Sequence, residues 1–336
     1  MINRISIQTD SDLNWHDTPG IEEVFVSRSG DKHDVEIPVC VITGRKPGPT
    51  FTIMSGMHAG EYAGILAAHR IIKTINSDEL QGRLIVIPVI SKRAFYNRSM
   101  QLSPADEKEI HFVKPGNPKG TYSDVLIDTL FQIVKGSDYL IDMHSGEMVQ
   151  ALYPWVPVPM IGSKEIQEAT LELAKGYKVD FLEYRYEIEA IPPLCLALFE
   201  AGIINIWVEI GKNGLPSKRD ISAHHDGLVA ALKTVGMLQG DPDRPKQKIL
   251  TGKRHQINAS ESGIWYPKIT EGQIVEKGEL LGITTDIFGN FLEEYRARTR
   301  SFVLYYWTSP AINIERKPHG YDWHSGLVSL LELEED

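Results

Sequence analysis

Cysteine is scarce, with only two residues in a chain of 336, Cys40 and Cys195. Both lie in apolar surroundings, "IPVCVITG" and "PPLCLALF", and read as small packed hydrophobes rather than a disulfide. Two thiols so far apart cannot form a thiolate zinc cluster, so any metal centre must be built from histidine and carboxylate. Positive charge is also in deficit, with Lys+Arg 35 against Asp+Glu 45 and a formal net charge of −10. A field of that sign repels phosphate backbones and anionic headgroups, so neither nucleic acid nor a membrane is an expected partner. No apolar stretch approaches the roughly 18 residues that a membrane-spanning helix needs. The start, "MINRISIQTDSDLNW", lacks the continuous apolar core of a signal peptide, and a cytoplasmic location is expected.

What is present is an alternation of short apolar runs and helical periodicity between about Val35 and Leu238, the pattern of an α/β layered fold with a largely parallel sheet. The clearest strands are "PTFTIMSG", "GRLIVIPVI", "DYLIDMH" and "IINIWVEIG". Their continuous apolar character suits strands covered on both faces. Helices are expected over 61–75, 122–135, 163–175 and 219–238, the last two with Ser163 and with Asp220 or Ser222 as N-caps. Two long tracts, 91–119 and 145–193, the second broken by the helical stretch, read as irregular and suited to a lid or binding surface. After the polar linker "QGDPDRPKQK" the segment to about Ile314 shows short glycine-punctuated strands and no convincing helix, the mark of a small all-β domain. The expected division is therefore 1–240 and 249–336.

The chemistry gathers at strand ends, where an open α/β sheet collects its ligands. His58 and Glu61 follow the first strand, His144 and Glu147 follow "YLIDM", and Glu209 ends "IINIWV". Catalytic zinc takes three protein ligands, mixing histidine with a carboxylate, and keeps a position open. His58, Glu61 and His144 supply that set, and Asp142 or a backbone carbonyl could orient one imidazole from behind. Glu209, a carboxylate on a very apolar strand, is the expected proton carrier. His224 and His225, neighbours on a presumed helix, are read as structural.

Taken in order, "GMHAGEYAG", "PADEKEIHFVKPGNPKGTYSD", "YLIDMHSGE" and "WVEIG" resemble the succinylglutamate desuccinylase/aspartoacylase family of zinc carboxypeptidase-like hydrolases. The resemblance runs into "ASESGIWYPKITEGQIVEKGELLGITTDIFG", which is similar to that family's C-terminal β domain. It implies a mixed eight-stranded sheet flanked by helices, followed by a barrel-sandwich-like domain. It also implies one Zn2+ held by His58, Glu61 and His144, with Glu209 as general base and acid in amide hydrolysis. The apex "TTDIFGN" has no lysine to carry a swinging arm.

The departures bear on the substrate. Where the family reads Asp-Leu-Asn-Arg, this chain has Glu109, His111 and Phe112 at the Asp, Asn and Arg places, and a second family arginine falls at Gln101. Neither Phe nor Gln replaces the paired bonds of a guanidinium to a carboxylate, so the usual acidic N-acyl amino acids are disfavoured. Arg98, His111, Glu109 and Glu147 are the candidate substrate-binding residues, the two glutamates suiting a small N-acyl substrate with a free amine. The readings that compete with a deacylase are a metallocarboxypeptidase and a non-catalytic zinc-containing binding protein. Exposed strand edges in the β domain call for cover, and homo-oligomerisation is one way to provide it.

Overall fold

The computed structural model describes residues 3–7, 13, 15–29, 34–250, 252–317 and 324–333. In chain order β1 (Asn3–Ser6), β2 (Gly20–Ser29), β3 (Asp34–Thr43) and β4 (Lys46–Ser55) precede α1 (Tyr62–Thr74), β5 (Gln81–Ile87), α2 (Lys92–Asn97), α3 (Tyr122–Val134) and β6 (Tyr139–His144). Next come β7 (Gln150–Leu152), β8 (Trp155–Pro159), α4 (Lys164–Ala174), β9 (Phe181–Arg185), α5 (Pro193–Glu200), β10 (Ile204–Glu209), α6 (Lys218–Thr234) and β11 (Lys248–Leu250). The remaining strands are β12 (Arg254–Asn258), β13 (Gly263–Pro267), β14 (Ile274–Val275), β15 (Leu280–Thr285), β16 (Phe291–Arg296), β17 (Ser301–Trp307), β18 (Ala311–Ile312) and β19 (Gly326–Glu332).

The central sheet has ten strands in the order β1-β2-β3-β5-β4-β6-β10-β8-β9-β11. The edge strands β1 and β11 carry it past the eight expected. Each is a short segment that pairs in parallel with one neighbour, β1 with β2 and β11 with β9. The sheet is mixed: β4, β6 and β10 run parallel to one another, whereas β2 and β3 pair antiparallel. Side chains alternate across it, as the pleat requires. Phe51, Ile53, Ile141 and Val208 pack with Ala67, Leu173 and Leu228 on one face. Met54, Ile85, Ile87 and Leu140 pack with Val125, Leu130 and Leu194 on the other. Thus α1, α4 and α6 cover one side, and α3 and α5 the opposite one.

Helix starts follow local chemistry. Ser163 caps α4 by accepting from the Ile166 N–H, as expected. For α6 the cap is Ser217, whose hydroxyl accepts from Asp220 N–H at 3.1 Å, rather than Asp220 or Ser222. The "irregular" tracts are more ordered than their composition suggests: 145–193 contributes β7, β8 and β9, and 91–119 contains α2 and a short 3-10 turn at Ile110–Phe112.

The C-terminal strands form two sheets, β12-β19-β17-β14 and β16-β15-β13-β18. Trp265, Leu281 and Tyr295 from one meet Val303, Val328 and Leu330 from the other in a shared core, which is a sandwich. Two segments tie the halves of the chain together. β11 joins the central sheet, while β7 pairs antiparallel with β17, matching Leu152 to Tyr305 and Gln150 to Trp307. Among the described residues no helix is long and apolar enough to cross a membrane.

Candidate metal centre and substrate cavity

The adjacent strands β4, β6 and β10 release their carboxyl ends side by side, and in register Glu209 lies opposite His144. Partners in a parallel pair project to the same face, so both side chains point the same way. From β4 the chain turns through Gly56, whose φ of 66° favours glycine, and delivers His58 and then Glu61. Glu61 occupies the N-cap position of α1, yet its side chain makes no capping bond. It turns to the histidines instead.

Three donor groups converge. Glu61 places Oε1 3.0 Å from His58 Nδ1 and Oε2 3.0 Å from His144 Nδ1, and the two Nδ1 atoms are 3.2 Å apart. Ligands bound at 2.0–2.1 Å around a tetrahedral zinc would sit about 3.3 Å from one another. The outer nitrogens are committed elsewhere. His58 Nε2 lies 2.8 Å from Glu109 Oε1, and His144 Nε2 lies 2.9 Å from Asp142 Oδ2. Because a carboxylate only accepts, these pairs put the protons on Nε2 and leave both Nδ1 lone pairs facing Glu61. Two lone pairs and a carboxylate at that separation demand a cation, so the residues fit a metal.

The electrostatics show the same demand for positive charge between these groups, which protons on the two Nδ1 atoms meet when no ion is bound. Burial opposes charge on His58, but Glu61 and Glu109 outweigh it and hold its pKa well above the usual imidazole range. At His144 burial is likewise outweighed, by Asp142 and Glu61. Glu61, despite burial that acts to raise it, is pushed down to about 2 by the two imidazoles. A looser arrangement also exists: one ring nitrogen each of His58, His111 and His144 lie within 4.8 Å of one another, as do donors of His58, Glu61 and Glu147. The tighter set at 3.0–3.2 Å is the better cage.

Around these groups lies a cavity of about 420 Å³, lined by Gln101, Glu109, His111, Glu147 and Glu209 and by residues from both halves of the chain. That size holds a small molecule. Glu209 is pushed up to about 7, chiefly by burial and partly offset by His144. Glu147 goes to about 8, again from burial first and then from the charge of Glu61. Both its oxygens are buried, and a backbone hydrogen bond with Met148 offsets only part of that rise. His111 stacks on His144 with centroids 4.7 Å apart. Its pKa falls well below the usual range through burial and then the neighbouring His144, which keeps the ring neutral.

Arg98 does not belong here. It ends α2 in the left-handed conformation, at φ 52°, is exposed, and is not among the residues lining the cavity. Glu109, expected against substrate, is instead engaged with His58, although it still borders the cavity. His224 and His225 lie away from it: His224 is fully buried with Nε2–H donating to Ile210 O at 2.9 Å, and His225 meets Thr74 and Asp226.

Sequence reasoning missed the cavity's guanidinium groups. Arg185 from β9 and Arg254 from β12 both line it, with Trp155, Trp207, Tyr305 and Trp307. The available signal was alternation, since Arg254 and Gln256, Tyr305 and Trp307, and Trp207 and Glu209 are each two apart on one strand and so share a face.

The succinylglutamate desuccinylase/aspartoacylase catalytic-domain description matches residues 47–235. N-alpha-acetyl-L-2,4-diaminobutyric acid deacetylase of Halomonas elongata is 25% identical over 270 residues, covering 78% of each chain. The product-bound ectoine utilization protein EutE (DoeB) of Ruegeria pomeroyi superposes with a TM-score of 0.82 at 25% identity, covering 94% of this chain and 95% of that one. A succinylglutamate desuccinylase of Silicibacter sp. TM1040 gives the same TM-score of 0.82 at 23% identity, covering 94% and 96%, a likeness of fold. The matched region contains the two inward-facing histidines, Glu61 and Glu209, and spans more than half of the sequence; the chain belongs to the succinylglutamate desuccinylase/aspartoacylase family.

Proposed function

We propose that the protein is a zinc-dependent amide hydrolase that removes the acyl group from a small N-acyl amine or amino acid. The observation that carries this reading is the convergence of His58 Nδ1, His144 Nδ1 and the Glu61 carboxylate within 3.0–3.2 Å, beside Glu209 in one cavity. The relative from Halomonas elongata, named a deacetylase of an N-acetylated diamino acid, supports the same reaction class.

His58, Glu61 and His144 would hold the ion, a donor set that suits zinc. When bound, it supplies Lewis acidity toward the acyl carbonyl and makes a nearby water more acidic. Glu209 takes a proton from the attacking water as the C–O bond forms, then delivers one to the nitrogen as the C–N bond breaks. A carboxyl lifted to about 7 by burial is suited to both halves of that transfer. The neutral His111 ring borders the reacting centre and can hydrogen-bond a polar group of the substrate. Walls of Trp155, Trp207 and Trp307 exclude water and strengthen these interactions. With His111 and Phe112 at the family's Asn and Arg places, the clamp for a peptide's C-terminal carboxylate is missing there, which argues against a peptide-trimming role. Arg185 and Arg254 weaken that argument, and the modest cavity is the better reason to favour a small substrate.

The test pairs a Glu209→Gln variant with a panel of acetylated and succinylated amines. Zinc content should stay at one ion per chain while acid release falls by about 10²–10⁴-fold. A variant that releases acid at the wild-type rate would remove Glu209 from the reaction.

A further inference from the structure

Two guanidinium groups, Arg185 and Arg254, line this cavity, and only the first has a carboxylate bonded to it. Arg185 is fixed by Nη2 donating to Glu183 Oε2 at 2.9 Å and Nη1 donating to Ala190 O at 3.2 Å. Glu183 is held in turn by Trp155 Nε1–H at 2.9 Å. Glu183 therefore balances Arg185. Arg254 has no such contact: among the described residues no carboxylate comes within ion-pair distance of it, and Glu183 and Glu209 act on it only from farther off. Its Nε donates to Ser329 Oγ at 2.8 Å, and its guanidinium lies 5.0 Å from the Tyr305 ring centroid and 6.0 Å from that of Trp155. One anchored nitrogen and two flanking rings stop the group from swinging out to solvent. It is near enough to Arg185 and to Glu209 for their charges to be felt.

A half-buried guanidinium with no carboxylate partner, beside a second guanidinium, costs free energy unless an anion arrives. The anion that fits a planar fork in a cavity of this size is a carboxylate. We infer that Arg254, steadied by Ser329 and Tyr305 and reinforced by Arg185, is the clamp for a free carboxylate on the substrate, the task that Phe112 and Gln101 cannot perform in this chain. This rests on the deacylase reading of the same cavity and narrows it. The clamp differs in origin from the Asn and Arg places occupied here by His111 and Phe112. It also comes from β12, outside the 47–235 region matched by the catalytic-domain description. The C-terminal sheet thus supplies part of the specificity.

The competing role for Arg254 is purely structural, a staple between β12 and β19. Binding tells the two apart. Zinc-loaded Glu209→Gln protein is titrated by calorimetry with N-alpha-acetyl-L-2,4-diaminobutyrate and with its primary amide, which has the same shape without the negative charge. The acid should bind about 100-fold more tightly than the amide, as charge-assisted bonds of this kind allow. Adding Arg254→Met should shrink that preference to within about threefold, and Arg254→Lys should restore part of it. Equal binding of acid and amide with Arg254 in place, undetectable binding of the acid at millimolar concentration, or a preference that survives Arg254→Met would each overturn the inference. Should Arg254→Met fail to fold, Arg254→Lys carries the comparison, and an acid preference undiminished in that variant would equally overturn the inference. Acid release by the wild-type protein is scored separately. Absence of turnover with a retained acid preference would therefore sink the deacylase reading and leave the clamp standing.

Discussion

Each inward-facing histidine has its outer nitrogen committed to a carboxylate, Glu109 for His58 and Asp142 for His144. These partners orient the ring planes, and they raise the basicity of the nitrogen that would face an ion. Replacing Asp142 with Asn keeps the shape but removes the charge. Competition with a chromophoric chelator should then show metal affinity lowered by about 10–100-fold; unchanged affinity would mean that Asp142 does not support His144. At this scale the sequence was readable where ligands cluster: His58 and Glu61 sit three residues apart, and Asp142 lies two before His144. Arg98 lies in the right stretch of sequence but not in the right place. Its backbone turns left-handed at the end of α2 and leaves the side chain exposed. Alternation puts Arg254 on one face with Gln256, but only the completed fold brings Arg185 and Arg254 to the same cavity as His144 and Glu209.

Among elements, α1 governs how Glu61 meets His144. The helix lies close against β6 at Gly64, where an added Cβ would come 2.9 Å from Met143 Cβ and 3.2 Å from Met143 O. Alanine in place of that glycine gains about 1 kcal/mol of helix propensity, but overpacking against a rigid strand costs about 1–3 kcal/mol. Gly64→Ala should therefore be neutral to modestly destabilising in a thermal melt. Because the helix must shift away from β6 and take Glu61 with it, catalytic turnover should fall more than tenfold. A variant with full turnover would show that α1 placement is not critical. The strands of the sheet centre were legible because burial on both faces demands continuous apolar runs such as "FTIM" and "LIDM". Short edge strands carry no such signal: β1 has 4 residues and β11 has 3. The helix α5 carries a weak local signal, since the proline pair that opens "IPPLCLALFE" reads as a breaker although proline at the first turn is compatible with a helix start.

Across the whole molecule, His58, Glu61 and His144 lie at strand ends of the central sheet, and the C-terminal strands add Arg254, Tyr305 and Trp307 to the same cavity, joined through the β7–β17 pairing. Neither the pairing nor the shared cavity follows from local pattern, because each depends on segments distant in sequence. Global stability offers its own test through His224, buried beneath the residue that follows Glu209. Burial is the leading cause that pushes its pKa down to about 4, against about 6.5 in an unfolded chain. Between those values the unfolded state binds more proton than the folded one. The neutral ring's contribution is thus full above pH 6.5 and is lost as pH falls toward 4, by about 3 kcal/mol. In urea titrations of metal-free protein, the stability gap between wild type and His224→Gln should narrow over that range. A constant gap would contradict the assignment.

The most direct trial of the account is anomalous diffraction at the zinc edge from crystals of the zinc-loaded protein. It predicts a single strong peak about 2.0–2.1 Å from His58 Nδ1, His144 Nδ1 and a Glu61 carboxylate oxygen. A peak elsewhere, or none between those three groups, would contradict it.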